Sequence, residues 1–362
     1  MNVLWLAHRD PLNPKAGGAE KIIHEVGKRL VNKGHDVSVI AGGWKNCKKI
    51  ETINGIRILR YGYRAGPHFA LPLFLLKNRY DVVIADLGHA VPWVFPVLMR
   101  RRVIIHFLHL HARSLPGQVG FLLAKTITSV EKLYPIIYYK EHFVTISDTS
   151  FDDLIGLGIK RSNISIIYPG VDANIFKPGK KTDYPSMVYF GGMRPYKRPE
   201  EALYILKKLK RDFKSLRLFV IGDGPSKSEM EHLSKELDIE EFVSFMGRIS
   251  YEKVSEVVAA SWVNIHSSVT EGWGISIIEA SSAGTPTIAY KVPGVSDSIQ
   301  DGINGILVKD CDRNALANAA KTIISNPDKW WSSSVEVAKK YSWDRTAELW
   351  EMLIKQVAGE QT

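Results

Sequence analysis

A chain of 362 residues that is 45% hydrophobic and 24% charged can bury more than one core and is too apolar to remain disordered, so two folded domains are expected. Its two cysteines, Cys47 and Cys311, lie far apart without CxxC spacing, which argues against a disulfide framework or a cysteine-held metal and fits a reducing cytoplasm. The net charge of +10 is unevenly placed: residues 1–175 hold 23 Lys and Arg against 13 Asp and Glu, and residues 176–362 hold 25 of each, so the first half is the one expected to face an anionic partner such as membrane phospholipid, a phosphorylated acceptor or nucleic acid.

The chain enters on the apolar run 3–7 and meets charge at Arg9, which does not fit a signal peptide, and the apolar runs 69–76, 91–99 and 121–123 fall short of the roughly 20 residues a membrane helix needs. Residues 3–7 read as a buried strand. A loop with Pro11, Pro14, Gly17 and Gly18 follows, then a helical pattern over 19–33 and a strand over 36–41, which together make a β-α-β unit. Strand-like runs recur at 81–85, 103–107, 142–146 and 164–168, so a parallel sheet with helices on both faces is expected. The polar stretch 176–181, with Pro178 and Gly179, reads as a linker, and the domain boundary is placed at 172/173. Alternation restarts with strands at 186–190, 217–221, 243–245, 263–266 and 287–290 and helices at 200–210, 227–237, 251–260 and 275–283, a second doubly wound domain over 173–342. The tail 343–362 carries a helical pattern over 343–357, expected to pack back on the N-terminal domain.

Residues 270–280, T-E-G-W-G-I-S-I-I-E-A, set a Gly-flanked loop directly before a helix. Glycines let the backbone approach a ligand, the first helical N–H groups are unpaired, and the helix dipole favours an anion by roughly 0.3–1 kcal/mol, so a diphosphate suits this place. Glu271 in the loop and Glu279 on the helix can reach one ligand from different depths, and carboxylates beside a phosphate site suit hydroxyl groups, as the acidic residue does for ribose in dinucleotide folds. Spacing alone equally allows Glu279 to be a surface helix residue and Glu271 a helix-start acid.

The segment E-G-W-G-I-S-I-I-E-A followed by A-G-T-P resembles the E-x(7)-E signature of family 4 retaining glycosyltransferases, whose GT-B fold has two facing Rossmann-like domains. The resemblance runs on through G-G-A-E at 17–20, N-K-G-H-D-V at 32–37, T-I-S at 145–147, Y-P-G-V-D at 168–172, Y-K-R at 196–198, G-D-G-P at 222–225 and M-G-R at 246–248. It implies that Glu271 contacts the donor sugar, that Glu279 contacts the ribose and that N–H groups around Gly274, Ile275 and Ser276 bind the diphosphate. It further implies that Lys197 pairs with the leaving phosphate, that Gly17 and Gly18 let the N-terminal domain approach phosphate or acceptor, and that His109 lies near the reacting sugar, with His106 and His111 as neighbours in sequence. The pattern departs at Gly192, where many members carry Arg five residues before the lysine; Arg194 is the candidate replacement.

The implied activity is transfer of a sugar from a UDP-, GDP- or ADP-sugar to a hydroxyl acceptor, by front-face attack with retention, with no cofactor and no metal. Asp310-Cys311-Asp312 has the look of a metal-binding D-x-D, but Asp312 stands where a helix N-cap belongs, so it reads as a helix start. The basic first half and the cluster Arg100-Arg101-Arg102, with the apolar and aromatic stretch 121–139 beyond it, point to a lipid or lipid-linked acceptor and a cytoplasmic protein peripheral on the inner face of the membrane. A helix buried in the domain explains 121–139 equally well. Two other readings compete: a nucleotide-sugar epimerase or phosphorylase sharing the phosphate site, and a non-catalytic membrane- or nucleic-acid-binding protein. Lys197, Glu271 and Glu279 favour the transferase, and no nucleic-acid-binding motif is visible.

Overall fold

Strand β1 (Asn2–Leu6), buried from Val3 onward, sits inside a sheet because its apolar residues face both ways. The chain continues through α1 (Gly18–Asn32), β2 (Asp36–Gly43), β3 (Ile50–Ile53), β4 (Ile56–Tyr63), α2 (Gly66–Lys77), β5 (Val82–Asp86), α3 (Val94–Leu98) and β6 (Val103–Phe107). It goes on through α4 (Phe121–Glu131), α5 (Tyr134–Ile137), β7 (His142–Thr145), α6 (Asp148–Leu157) and β8 (Ile164–Ile166). This computed structural model describes residues 1–63, 65–113, 115 and 120–359.

The strands form one eight-stranded sheet in the order β3-β4-β2-β1-β5-β6-β7-β8. All neighbours are parallel except β3 and β4, a hairpin that sequence reasoning passed over. Its turn is Asn54-Gly55, with φ of 49° and 80°, the two left-handed positions of a tight hairpin turn. From β1 the chain winds toward β2, and from β5 onward it winds the other way. Right-handed crossovers therefore put α1 on one face of the sheet and α2 to α6 on the other. Leu71, Trp93, Tyr134 and Leu154 accordingly share one core with Leu4, Leu6 and Phe107.

The second sheet is built from β9 (Ser186–Phe190), α7 (Glu201–Leu209), β10 (Arg217–Ile221), α8 (Lys227–Glu236), β11 (Val243–Gly247), α9 (Tyr251–Ala260) and β12 (Val263–His266). It is completed by α10 (Ile275–Ser282), β13 (Thr287–Tyr290), α11 (Val295–Ser298), β14 (Gly305–Val308), α12 (Arg313–Ser325) and α13 (Asp328–Ala338). Its order is β11-β10-β9-β12-β13-β14, parallel throughout. The final helix, α14 (Trp343–Ala358), belongs with the first sheet: the Trp350 ring lies 5.1 Å from that of Trp5 and 5.4 Å from that of His106. Arg29 of α1 and Lys33 directly after it pair with its Asp344 and Glu351, each at 2.6 Å.

Two compact units result. One takes the chain up to Ala112, the stretch ending at Pro169 and the segment from Trp343 onward; the other takes Gly170–Ser342. The division falls after Pro169 rather than at 172/173, because Val171 already pairs with Ser342 and donates its N–H to the Tyr341 carbonyl at 3.2 Å, both within the second unit.

Candidate active site

In the second sheet the direction of winding reverses between β9 and β12, and in open α/β sheets ligands bind outside the carboxyl ends of the strands at such a reversal. The loop leaving β9 carries Arg194 and Lys197; the loop leaving β12 carries Glu271 and Gly274. Ser267 stitches the two loops together by donating its hydroxyl to the carbonyls of Lys197 (2.9 Å) and Arg198 (2.7 Å). Arg198 returns the bond to the Ser267 carbonyl at 2.9 Å, and the Val269 N–H reaches the Tyr196 carbonyl at 2.8 Å.

This framework brings Lys197 Nζ to 2.5 Å from Glu271 Oε1. Ser268 donates to the same oxygen at 2.7 Å, and His266 Nε2 lies 3.3 Å from it. Burial works against the Glu271 carboxylate, but the charge of Lys197 and the neighbouring His266 outweigh it and hold this carboxyl far below the usual range. Burial likewise works against the Lys197 ammonium, and Glu271 more than offsets it, so the pair stays ionised. Arg194, one turn earlier, is exposed.

The approach to α10 is set by backbone that only glycine tolerates. Gly274, the residue before the helix, has φ of 88°, and a Cβ there would stand 2.7 Å from Ile277 Cδ1. Gly294 has φ of 76°, and a Cβ there would stand 2.1 Å from the Glu271 carbonyl oxygen, while Glu271 donates its N–H to the Pro293 carbonyl at 3.1 Å. The segment Val292-Pro293-Gly294 thus fixes the backbone of Glu271. Ile275 opens the helix, and the Ser276 hydroxyl lies 3.5 Å from His266 Nδ1. Glu279 faces inward, not to solvent as a surface-helix reading would have it, and accepts a hydrogen bond from the Tyr251 hydroxyl at the start of α9. Asp310 accepts from Arg198 at 2.7 Å and Asp312 caps α12 through the Ala315 N–H at 2.8 Å, so both carboxylates of the D-x-D are engaged, the second as the expected helix start.

In the first unit the reversal lies between β1 and β5. After β1, buried Glu20 accepts from the Gly17 N–H at 2.7 Å and from Arg9 Nε at 2.9 Å, which holds the Gly17-Gly18 loop from inside. At the end of β5, Asp86 accepts from the Gly88 N–H at 2.8 Å and stands 2.7 Å from His106 Nδ1. Burial opposes the ionisation of Asp86, and His106 and the Gly88 N–H reverse that effect. His8, beside His68 and His89, is pushed down to about 3 by burial and by those neighbours and remains neutral. His109 lies just beyond β6, half-buried, its ring 5.1 Å from that of His111, whose Nδ1 is 3.0 Å from Glu131. His106 is wholly buried under Trp5 and Trp350.

Sequence reasoning thus named Lys197, Glu271, Ser276 and Glu279, which the second unit gathers around α10 and its entry, and missed His266, Ser268, Arg198 and Tyr251. Gly17, Gly18 and His109 lie in the first unit.

The family described as Glycosyltransferase Family 4 matches residues 16–175, and that described as Glycosyl transferases group 1 matches residues 171–341. The chain belongs to the family 4 glycosyltransferases. Among the relatives of this glycosyltransferase, a phosphatidylinositol N-acetylglucosaminyltransferase component from Arabidopsis thaliana is 22% identical over 94% of this chain and 79% of its own length. The D-inositol 3-phosphate glycosyltransferase of a Nocardioides species is 24% identical over 94% of this chain and 86% of its own. The GT-B fold is shared with solved structures. Sucrose-phosphate synthase from Thermosynechococcus elongatus superposes with a TM-score of 0.86 at 21% identity, covering 99% of this chain and all of that one. The Anabaena protein HepE, solved with UDP-glucose, gives 0.78 at 18% identity over 98% of this chain and all of its own.

Proposed function

We propose that this glycosyltransferase is retaining and metal-independent, that its second unit holds a UDP-, GDP- or ADP-sugar, and that its acceptor is a hydroxyl of a lipid or lipid-linked molecule at the cytoplasmic face of a membrane. The observation that carries the donor assignment is the Lys197–Glu271 pair at the sheet reversal, beside the start of α10. A lysine held charged in a half-buried place suits a phosphate, and a carboxylate released from that lysine suits the hydroxyl groups of a sugar. On donor binding Lys197 exchanges Glu271 for the leaving phosphate, and Glu271 turns to the sugar. The N–H groups of Gly274, Ile275 and Ser276 take the diphosphate, and Arg194 serves as the second cation in place of the arginine missing at Gly192. Glu279 takes the ribose in place of the Tyr251 hydroxyl. In the first unit Gly17 and Gly18 admit phosphate or acceptor to the backbone, and His109 stands with the reacting sugar.

In the transfer, the acceptor oxygen bonds to the anomeric carbon on the face from which the diphosphate departs, the bond from that carbon to the phosphate oxygen breaks, and the acceptor proton passes to the departing phosphate. Charge builds on the leaving phosphate, where Lys197 and the helix N–H groups stabilise it. Lys197 and these N–H groups are the reason no metal and no cofactor is invoked, and the carboxylates of Asp310 and Asp312 are committed to Arg198 and to a helix start. The acceptor assignment is supported by the basic first half and by relatives whose names include phosphatidylinositol and inositol phosphate. Nucleotide release from UDP-, GDP- and ADP-sugars in the presence of EDTA tests the reading. Turnover of one donor class in EDTA, giving product of unchanged anomeric configuration, is expected. Loss of activity in EDTA restored by Mn²⁺, or an inverted product, would overturn the corresponding part.

A further inference from the structure

The helical layer α2 to α5 on one face of the first sheet turns an apolar surface outward. On α2, Phe69 (83% exposed), Leu73 and Leu76 recur at helical spacing on the outer side, while Leu71 and Leu75 fill the core. Helix α4 is packed at its C-terminal end, where Glu131 is buried and Val130 lies against the core, and open at its first turn, where Phe121 and Leu122 are each 79% exposed with Leu123 beside them. Bonds at their ends tie these helices together: Arg101 Nη2 donates to the Leu75 carbonyl at 2.5 Å, the Trp93 N–H to the Tyr138 hydroxyl at 2.8 Å, the Tyr134 hydroxyl to the Ala90 carbonyl at 2.8 Å, and the Leu133 N–H, between α4 and α5, to the Val130 carbonyl at 3.0 Å. By contrast, the exposed large apolar residues of the second unit are Tyr184, Val269 and Ile303 among the described residues.

Charge selects the occupant. Within residues 66–81, 91–102 and 120–141, Lys77, Arg79, Arg100, Arg102, Lys125, Lys132 and Lys140 are exposed, against three acids: exposed Asp81, which accepts from the Asn2 N–H at 2.7 Å, Glu131, which turns inward to His111, and half-buried Glu141. A second copy of this chain docked through the same face would set like charges against each other, which disfavours a symmetric dimer. No helix among the described residues is long and apolar enough to cross a membrane. Exposed aromatic and aliphatic side chains edged by bases that outnumber the nearby acids match an anionic bilayer surface, with the apolar groups entering the acyl boundary and the bases meeting phosphate.

We infer that the outer surface of α2 to α5 is a monotopic membrane-docking face for anionic phospholipid, with the first turn of α4 as its inserted wedge. The inference rests on the reading of a lipid-borne acceptor and gives it a place on the molecule. Co-sedimentation of the full chain with phosphatidylglycerol and phosphatidylcholine vesicles tests it, using wild type and the triple variant F121S/L122S/L123S, whose positions are exposed and leave the core intact. Wild type should prefer phosphatidylglycerol and release at high salt, and the triple variant should bind roughly a hundredfold more weakly with its thermal unfolding unchanged. Equal binding of the two proteins, or no preference for phosphatidylglycerol, would overturn the inference. So would a dimer, seen by analytical ultracentrifugation, that the triple variant dissociates. The acceptor reading is read separately, as label from radiolabelled nucleotide sugars entering organic-extractable lipid. Label in lipid without vesicle binding sinks the docking face alone; vesicle binding lost in the triple variant without label in lipid supports the face and sinks the acceptor reading.

Discussion

In the second unit, the loops after β9 and β12 are sewn to each other by Ser267 and Arg198, and they lock Lys197 against Glu271 beside a helix start. In the first unit the corresponding loops after β1 and β5 are each held from within, by Glu20 and by Asp86, and among the described residues one helical layer leaves Phe69, Leu73, Phe121 and Leu122 exposed. The same winding plan serves two ends. A site that must stabilise charge at the moment of bond breaking needs its groups fixed beforehand, since dipoles that reorganise during reaction stabilise less. A surface that meets a large, deformable partner needs exposed apolar and basic groups on a rigid support, and the support in the first unit is the opposite face, where α1 and α14 pack.

The largest expected effect breaks that support. Trp350→Ala removes a fully buried indole between Trp5 and His106 and should cost about 3–5 kcal/mol in denaturant unfolding of the first unit, with the second unit's transition unmoved. Next comes the fixed charge of the second unit: Lys197→Ala should lower turnover about 10²–10³-fold, the scale for one positioned group that stabilises developing charge, read in single-turnover nucleotide release. Gly294→Ala places a methyl group against the Glu271 carbonyl at a left-handed φ, so activity should fall together with a loss of about 1–3 kcal/mol in stability, measured by thermal unfolding. The smallest change is Tyr251→Phe, which frees Glu279 of one hydrogen bond. A shift of several-fold in donor KM with kcat unchanged is expected, in keeping with about 0.5–1.5 kcal/mol for such a bond. An effect of Tyr251→Phe on kcat alone would mean that Glu279 acts on the reacting sugar and not on the ribose.

Much of this was legible because it is periodic or local. The β-α-β alternation, the break into two units and the glycine-flanked entry to α10 all show in the residues themselves, and Asp312 reads as a cap from its place between strand and helix. The β3–β4 hairpin was also legible, since Asn54-Gly55 between short apolar runs signals a tight turn, and it was passed over. What could not be read is what the topology alone brings together. His266 looks like an ordinary strand end and Ser268 like any loop serine, until the reversal between β9 and β12 sets both around Glu271. Tyr251 opens a helix distant in sequence from Glu279, and nothing local couples them. The stretch 121–139 left a buried helix and an interfacial segment equally open from its composition. The fold divides it, burying Tyr134 and Tyr138 and leaving the first turn of α4 outside.

The proposed roles give Glu279 and Glu271 different parts of one nucleotide-sugar donor, and steady-state kinetics of Glu279→Ala and Glu271→Ala with the donor found by nucleotide release separates the two. A ribose contact is common to the ground and transition states, so Glu279→Ala should raise KM by about tenfold with little change in kcat, whereas Glu271→Ala should mainly lower kcat. Equal losses in kcat alone for the two variants, or turnover indifferent to both, would rule out this division of roles between Glu279 and Glu271.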